Sequence, residues 1–88
     1  METQLIMEYD SMGDILYLGK RAPYPEQESE ELEYGIVARL NPKTDEIENL
    51  EVLFFSRRLA AGKAFQLPIL AEFHLLAACR RETHMPSK

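Results

Sequence analysis

Apolar and polar residues alternate with a period of two over several stretches of the chain, the pattern of strands with one buried face. In the stretch from Gln4 to Tyr9, Leu5, Met7 and Tyr9 alternate with Gln4 and Glu8, while Ile6 adds an apolar group to the second face. Asp10–Ser11–Met12–Gly13–Asp14 reads as a turn, with Gly13 the residue suited to a positive φ and short side chains able to bond nearby amides. Ile15–Leu18 is a second strand, completing an antiparallel hairpin. Alternation returns at Glu33, where Tyr34, Ile36, Ala38 and Leu40 share a face, and the strand ends at the Asn41–Pro42–Lys43–Thr44–Asp45 turn. Between Ile47 and Phe55 a fourth strand sets Leu50, Val52 and Phe54 against Asn49, Glu51, Leu53 and Phe55. Its second face is partly apolar, which asks for cover on both sides of the sheet at one end.

Two segments follow other patterns. Lys20 to Leu32 holds Pro23 and Pro25, then Glu26, Glu28, Glu30 and Glu31 with almost no apolar residue. Proline removes ladder donors and glutamates repel one another, so this reads as a long solvated connection, available to a partner as an acidic interaction loop. Ser56–Ala61 reads as a helical turn capped by Ser56 and stopped at Gly62. From Pro68 to about Arg80, Ile69, Leu70, Phe73, Leu76 and Ala77 fall at helical spacing, with Glu72 in the first turn and Arg80–Arg81 in the last. The fold these elements predict is α+β: a four-stranded antiparallel meander with a C-terminal helix packed on one face. Residues 1–82 form a single domain with this helix as an extension, and Thr83–Lys88 is a tail.

Composition narrows the function classes. A chain of 88 residues buries only about 60–65% of its unfolded surface, so partner burial would add stability, and a homodimer is expected. The apolar groups left over on the second face, Ile6, Leu53 and Phe55, are the expected interface. The net charge of −5 opposes phosphate backbones, and no aromatic residues interleave with Arg57–Arg58 or Arg80–Arg81, so no nucleic acid is expected. Cys79 is the single cysteine, which excludes an intrachain disulfide and a cysteine zinc site. Its thiol, at a helix C-terminus with no ordered His, Asn or Asp around it, reads as inert. His74 and His84 are ten positions apart, against the three or four that a helical metal pair requires. No metal and no cofactor are expected. The chain shows no leader-like start and no apolar run near the ~20 residues that span a bilayer. The expectation is a cytoplasmic protein with no membrane association.

The chemistry-bearing candidates are few. Glu8, Asp10 and Asp14 could meet around the first turn, with Glu51 nearby and Tyr17 offering a hydroxyl. Clustered carboxylates raise one another's pKa or hold a hard cation, which would suit a small metal-dependent or acid/base enzyme. Against that stands a plainer reading, in which Asp10 and Asp14 cap the turn while Glu8 and Glu51 lie on the wetter face. Glu51, if buried, needs a partner, and Arg39 on the neighbouring strand is the natural one.

Tyr9–Asp10, Asp14, Leu16–Tyr17–Leu18, Gly35–Ile36–Val37 and Leu50–Glu51–Val52–Leu53 together resemble the bacterial YuzE-like family, a domain of unknown function. The resemblance covers roughly Gln4 to Leu59, and Asn49 stands where the family often has Gly. It brings no activity with it. Small proteins of this type are associated with toxin–antitoxin-like gene pairs, so it implies a non-enzymatic protein-interaction module, antitoxin-like, with a protein partner.

Overall fold

The computed structural model describes residues 4–62 and 64–76. Its strands are β1 (Ile6–Asp10), β2 (Ile15–Gly19), β3 (Glu28–Glu33), β4 (Ile36–Leu40) and β5 (Ile47–Leu53), followed by one helix, α1 (Phe55–Ala61). The chain is therefore α+β. All strand pairs are antiparallel, in the spatial order β1-β2-β5-β4-β3. This corrects the expected meander in two respects. Among the described residues there are five strands rather than four, and β2 lies beside β5, so the chain crosses two strand ends to reach β3 at the far edge.

The extra strand comes from the acidic segment. Glu28–Glu33 pairs with β4, and a register shift falls between Glu31 and Glu33. Like charges do not prevent a strand at a sheet edge, where most side chains stay wet; only Leu32 reaches the core. Tyr34 and Gly35 form the turn into β4 rather than part of a strand, with Gly35 at φ 78°. The left-handed backbone favours glycine here, and a Cβ would lie 2.6 Å from Arg58 Nη2, displacing the guanidinium that donates to the Tyr34 carbonyl.

Directly opposite residues share a face in an antiparallel sheet, so the register sorts the side chains. Leu16, Val52 and Ile36 line up on one face, followed by Leu18, Leu50 and Ala38. These form the core, in which Ile36, Val52 and Ala38 are at most 1% exposed. Burial of a side chain such as Ile36 or Val52 contributes about 1.5–3 kcal/mol. Phe55, Phe65, Leu67 and Ile69 cover this face.

The cover is not the helix expected from Pro68 onward. Residues 68–76 are not helical, and Ala77–Arg80, like the tail Thr83–Lys88, lie outside the described residues. Phe65, Leu67 and Ile69 instead pack at alternate positions while Gln66 and Pro68 face solvent. Leu67 precedes proline, which disfavours helical backbone there. The helix that does form starts directly after β5. Phe54 takes its N-cap position at φ 58° without a side-chain cap, and the Gly62 amide donates to the Arg58 carbonyl at its end. The Arg58 guanidinium ties α1 to the sheet by donating to the Leu53 and Tyr34 carbonyls at 2.8 and 2.6 Å.

Candidate functional site

The five sequence candidates divide between two sides of the sheet. On the face away from the core, Glu8, Tyr17, Glu51, Val37 and Glu31 form one row across all five strands. Glu8, Asp10, Tyr17 and Glu51 border a shallow, open hollow of about 660 Å³, rimmed by Arg21 and Pro23 of the following connection. Glu51 does pair with Arg39, Oε2 to Nε at 3.0 Å, and Arg39 also donates to Ser29 Oγ at 2.8 Å. Burial, then the Glu51 charge, pushes the Tyr17 phenol above its ordinary pKa. Asp10 caps its own turn by accepting from the Met12 and Gly13 amides at 3.0 and 3.3 Å.

Asp14 belongs to a different structure. It occupies the left-handed region at φ 58°, the conformation expected of Gly13. Its carboxylate accepts from Tyr9 Oη at 2.6 Å, and from the Ser56 amide and hydroxyl at 2.9 Å each. The Phe55 amide donates to the Asp14 carbonyl at 3.0 Å. Asp14 thus caps the first turn of α1 across the fold, in the role expected of Ser56. The Tyr9 hydrogen bond, helped by the Ser56 amide, holds its carboxyl below the usual range, and the same bond raises the Tyr9 phenol. Asp14 therefore does not join the other acids.

The expected interface residues also separate. Ile6 and Leu53 face the same way as Tyr17, opposite Gly19 and Ile15 respectively. Phe55 packs against the core, its ring 5.8 Å from Tyr9 and 6.2 Å from Phe65. Within the acidic segment, Glu26 lies exposed in the connection, while Glu28, Glu30 and Glu31 are in β3, so this is an acidic strand rather than a loop. Glu31 accepts from the Gly35 amide at 3.1 Å.

A buried polar hub at the start of β5 was not among the sequence candidates. Glu48, Asn49 and Gln27 are all buried. Glu48 accepts from Tyr24 Oη at 2.7 Å, Gln27 Nε2 at 3.0 Å and Asn41 Nδ2 at 3.1 Å. These bonds, Tyr24's foremost, lower its carboxyl to about 2. Asn49 accepts from Gln27 Nε2 and donates to the Arg21 carbonyl, both at 2.7 Å. The hub fastens the connection between β2 and β3 where it passes the end of β5. Its clue is the pairing of Gly19 with Asn49: the missing Cβ at Gly19 leaves the space that the Asn49 amide fills.

The two sheet edges differ in kind. β3 carries Glu28, Glu30, Glu31 and Glu33 and an irregular register. β1 has an unbroken register with β2 and leaves Ile6, Met7 and Tyr9 exposed, as is Leu5 just before it. Further along the chain, Leu70, Phe73 and Leu75 are exposed as well.

Among the described residues, no group of three or more His, Cys, Asp and Glu is arranged to hold a metal ion, and no helix is long and apolar enough to cross a membrane. Comparison with protein-family models, curated proteins and solved structures finds no match for the chain.

Proposed function

We propose that the chain is a non-enzymatic interaction module that acts as a homo-oligomer. The observation that carries this reading is the exposed apolar strand β1, in which Met7 is 67% exposed at a sheet edge. Contiguous exposed apolar side chains mark association surfaces more often than single ones do. The YuzE-like resemblance, and the antitoxin-like partner it implies, belong to the same proposal. Its motifs fall on β1, β2, β4 and β5, which share one sheet, and on the turns that hold Asp14 and Gly35. Light scattering of the purified chain should give twice the 10.2 kDa protomer mass. A monomer mass across the accessible concentration range would overturn the homo-oligomer.

The competing reading is a small metal-dependent or acid/base enzyme built on Glu8, Asp10, Asp14 and Glu51. Three of its residues are already engaged: Asp14 caps α1, Asp10 caps its turn and Glu51 pairs with Arg39. A cation that binds only the folded state must raise its stability. A higher Tm in the presence of Mg²⁺, Mn²⁺, Ca²⁺ or Zn²⁺ would favour the enzyme, and an unchanged Tm is the expected result.

A further inference from the structure

We propose that β1 is a self-pairing edge: two copies join their β1 strands antiparallel about a twofold axis at Met7, fusing two five-stranded sheets into one. This rests on the homo-oligomer reading and assigns it a surface, a partner and a register.

An edge strand offers a row of unpaired amides and carbonyls to any other strand, and proteins protect such edges with charge, irregularity or cover. β3 has both charge and a register shift. β1 carries its two acids, Glu8 and Asp10, on the face away from the core, has neither lysine nor proline, and keeps a regular five-residue register with β2. Its exposed Ile6, Met7 and Tyr9 would otherwise stay in water.

Charge selects the partner strand. Joining β1 to the β3 of another copy would bring Glu8 and Asp10 against a strand with four glutamates. Like charges opposite one another across a ladder are destabilising. Such a head-to-tail contact would also leave one β1 edge and one β3 edge able to pair again, and so grows into open arrays unless it closes as a ring. Pairing β1 with itself closes after two copies.

Charge and face together select the register. A twofold axis at Met7 sets Met7 against itself, Leu5 against Tyr9, Ile6 against Glu8 and Gln4 against Asp10. No two acids meet. Leu5, Met7 and Tyr9 of both copies then lie on the core side and extend the apolar layer that now ends at Tyr9 and Phe55. Moving the axis to Glu8 would place two Glu8 carboxylates face to face. Moving it to Ile6 would set Asp10 against Glu2 of the other copy, again acid against acid.

The test is disulfide trapping in the full chain with Cys79→Ser. Met7→Cys, at an exposed site, should form a covalent dimer on mild oxidation, because opposed strand residues lie within the ~4.4–6.8 Å Cα range of a disulfide. Glu8→Cys should trap more slowly, being diagonal to its own copy, and Glu30→Cys on β3 should stay monomeric. Met7→Lys should keep the far-UV spectrum and lose the dimer mass in light scattering. A dimer by scattering that Met7→Cys fails to trap would refute the seam while leaving the oligomer in place. A monomer in both experiments would remove both. Trapping between Met7→Cys and Glu30→Cys chains, or faster trapping by Glu8→Cys, would overturn the twofold register. An extended segment of another protein as the true occupant of β1 would leave purified Met7→Cys untrapped, which also refutes the proposal.

Discussion

Replacing Gly19 with alanine puts a methyl group where the Asn49 side chain now lies. A Cβ on Gly19 would stand 2.0 Å from Asn49 Nδ2 and 2.9 Å from its Cγ, so one of the two must move. Asn49 moves only by giving up its hydrogen bonds to Gln27 and to the Arg21 carbonyl, both 2.7 Å long. A net hydrogen bond is worth about 1 kcal/mol, and a buried polar group left unpaired costs about 1–3 kcal/mol, so Gly19→Ala should cost about 2–4 kcal/mol. That is a large share of the ~5–15 kcal/mol that holds a typical domain together. Asn49→Gly loses the same bonds and adds about 0.5–1 kcal/mol for glycine within a strand, but it empties the space beside position 19. In the double variant the new methyl meets no side chain. Its total cost should therefore match Asn49→Gly alone, giving a coupling equal in size to the Gly19→Ala cost, about 2–4 kcal/mol. Urea melts of the four proteins, followed by far-UV circular dichroism, measure each term. Strict additivity, or a Gly19→Ala midpoint equal to that of the parent, would refute the hub as described.

The hub also sets an acid limit. Glu48 and Asp14 both have carboxyl pKa values lowered by folding, Glu48 to about 2. Their contribution is complete above the unfolded carboxylate values of about 4 and is lost as pH falls from there toward the folded values. Tm should drop through that window, and Glu48→Gln should flatten the drop; a Tm insensitive to pH there would contradict it. Asp14→Ala should lower Tm and weaken the α1 signal, and Asp14→Asn should lower Tm less, because asparagine tolerates the left-handed backbone better than alanine. An unchanged melt would remove the capping role. Val52→Ala should cost about 2–3 kcal/mol from two lost carbons and a residual cavity, whereas Leu59→Ala on the exposed side of α1 should stay within about 0.5 kcal/mol. Equal costs in chemical melts would place the core elsewhere.

How much of this is legible in the sequence varies with the physics of each element. The β1–β2 hairpin, β4, most of β5 and the Asn41 turn are marked by strand-type residues between strong turn residues, and Asn41 Oδ1 does accept from the Lys43 and Thr44 amides at 2.8 and 3.1 Å. But β5 ends at Leu53, and Phe54–Phe55 begin α1 instead of ending the strand. β3 is hidden because an edge strand with two wet faces need not alternate. The helix expected at Pro68 fails for a related reason. Ile69, Leu70 and Phe73 fit a helical stripe, yet Phe65, Leu67 and Ile69 also fit a period of two, and the proline after Leu67 favours the extended choice. Among the candidate acids, proximity in sequence misleads. Asp10 and Asp14 bracket one turn, but a single left-handed residue sends Asp14 to α1 while Asp10 stays with the hairpin. The hub joins Tyr24 and Gln27 to Glu48 and Asn49 across 21 to 24 positions, a distance over which local pattern carries no signal.

Hydrogen exchange followed as a function of protein concentration tests the association reading most directly. If copies pair through β1, the β1 amides that point away from β2 should be protected in concentrated solution and exchange faster on dilution, while those of Glu28–Glu33 stay the same. Exchange at β1 that is rapid and independent of concentration would contradict it.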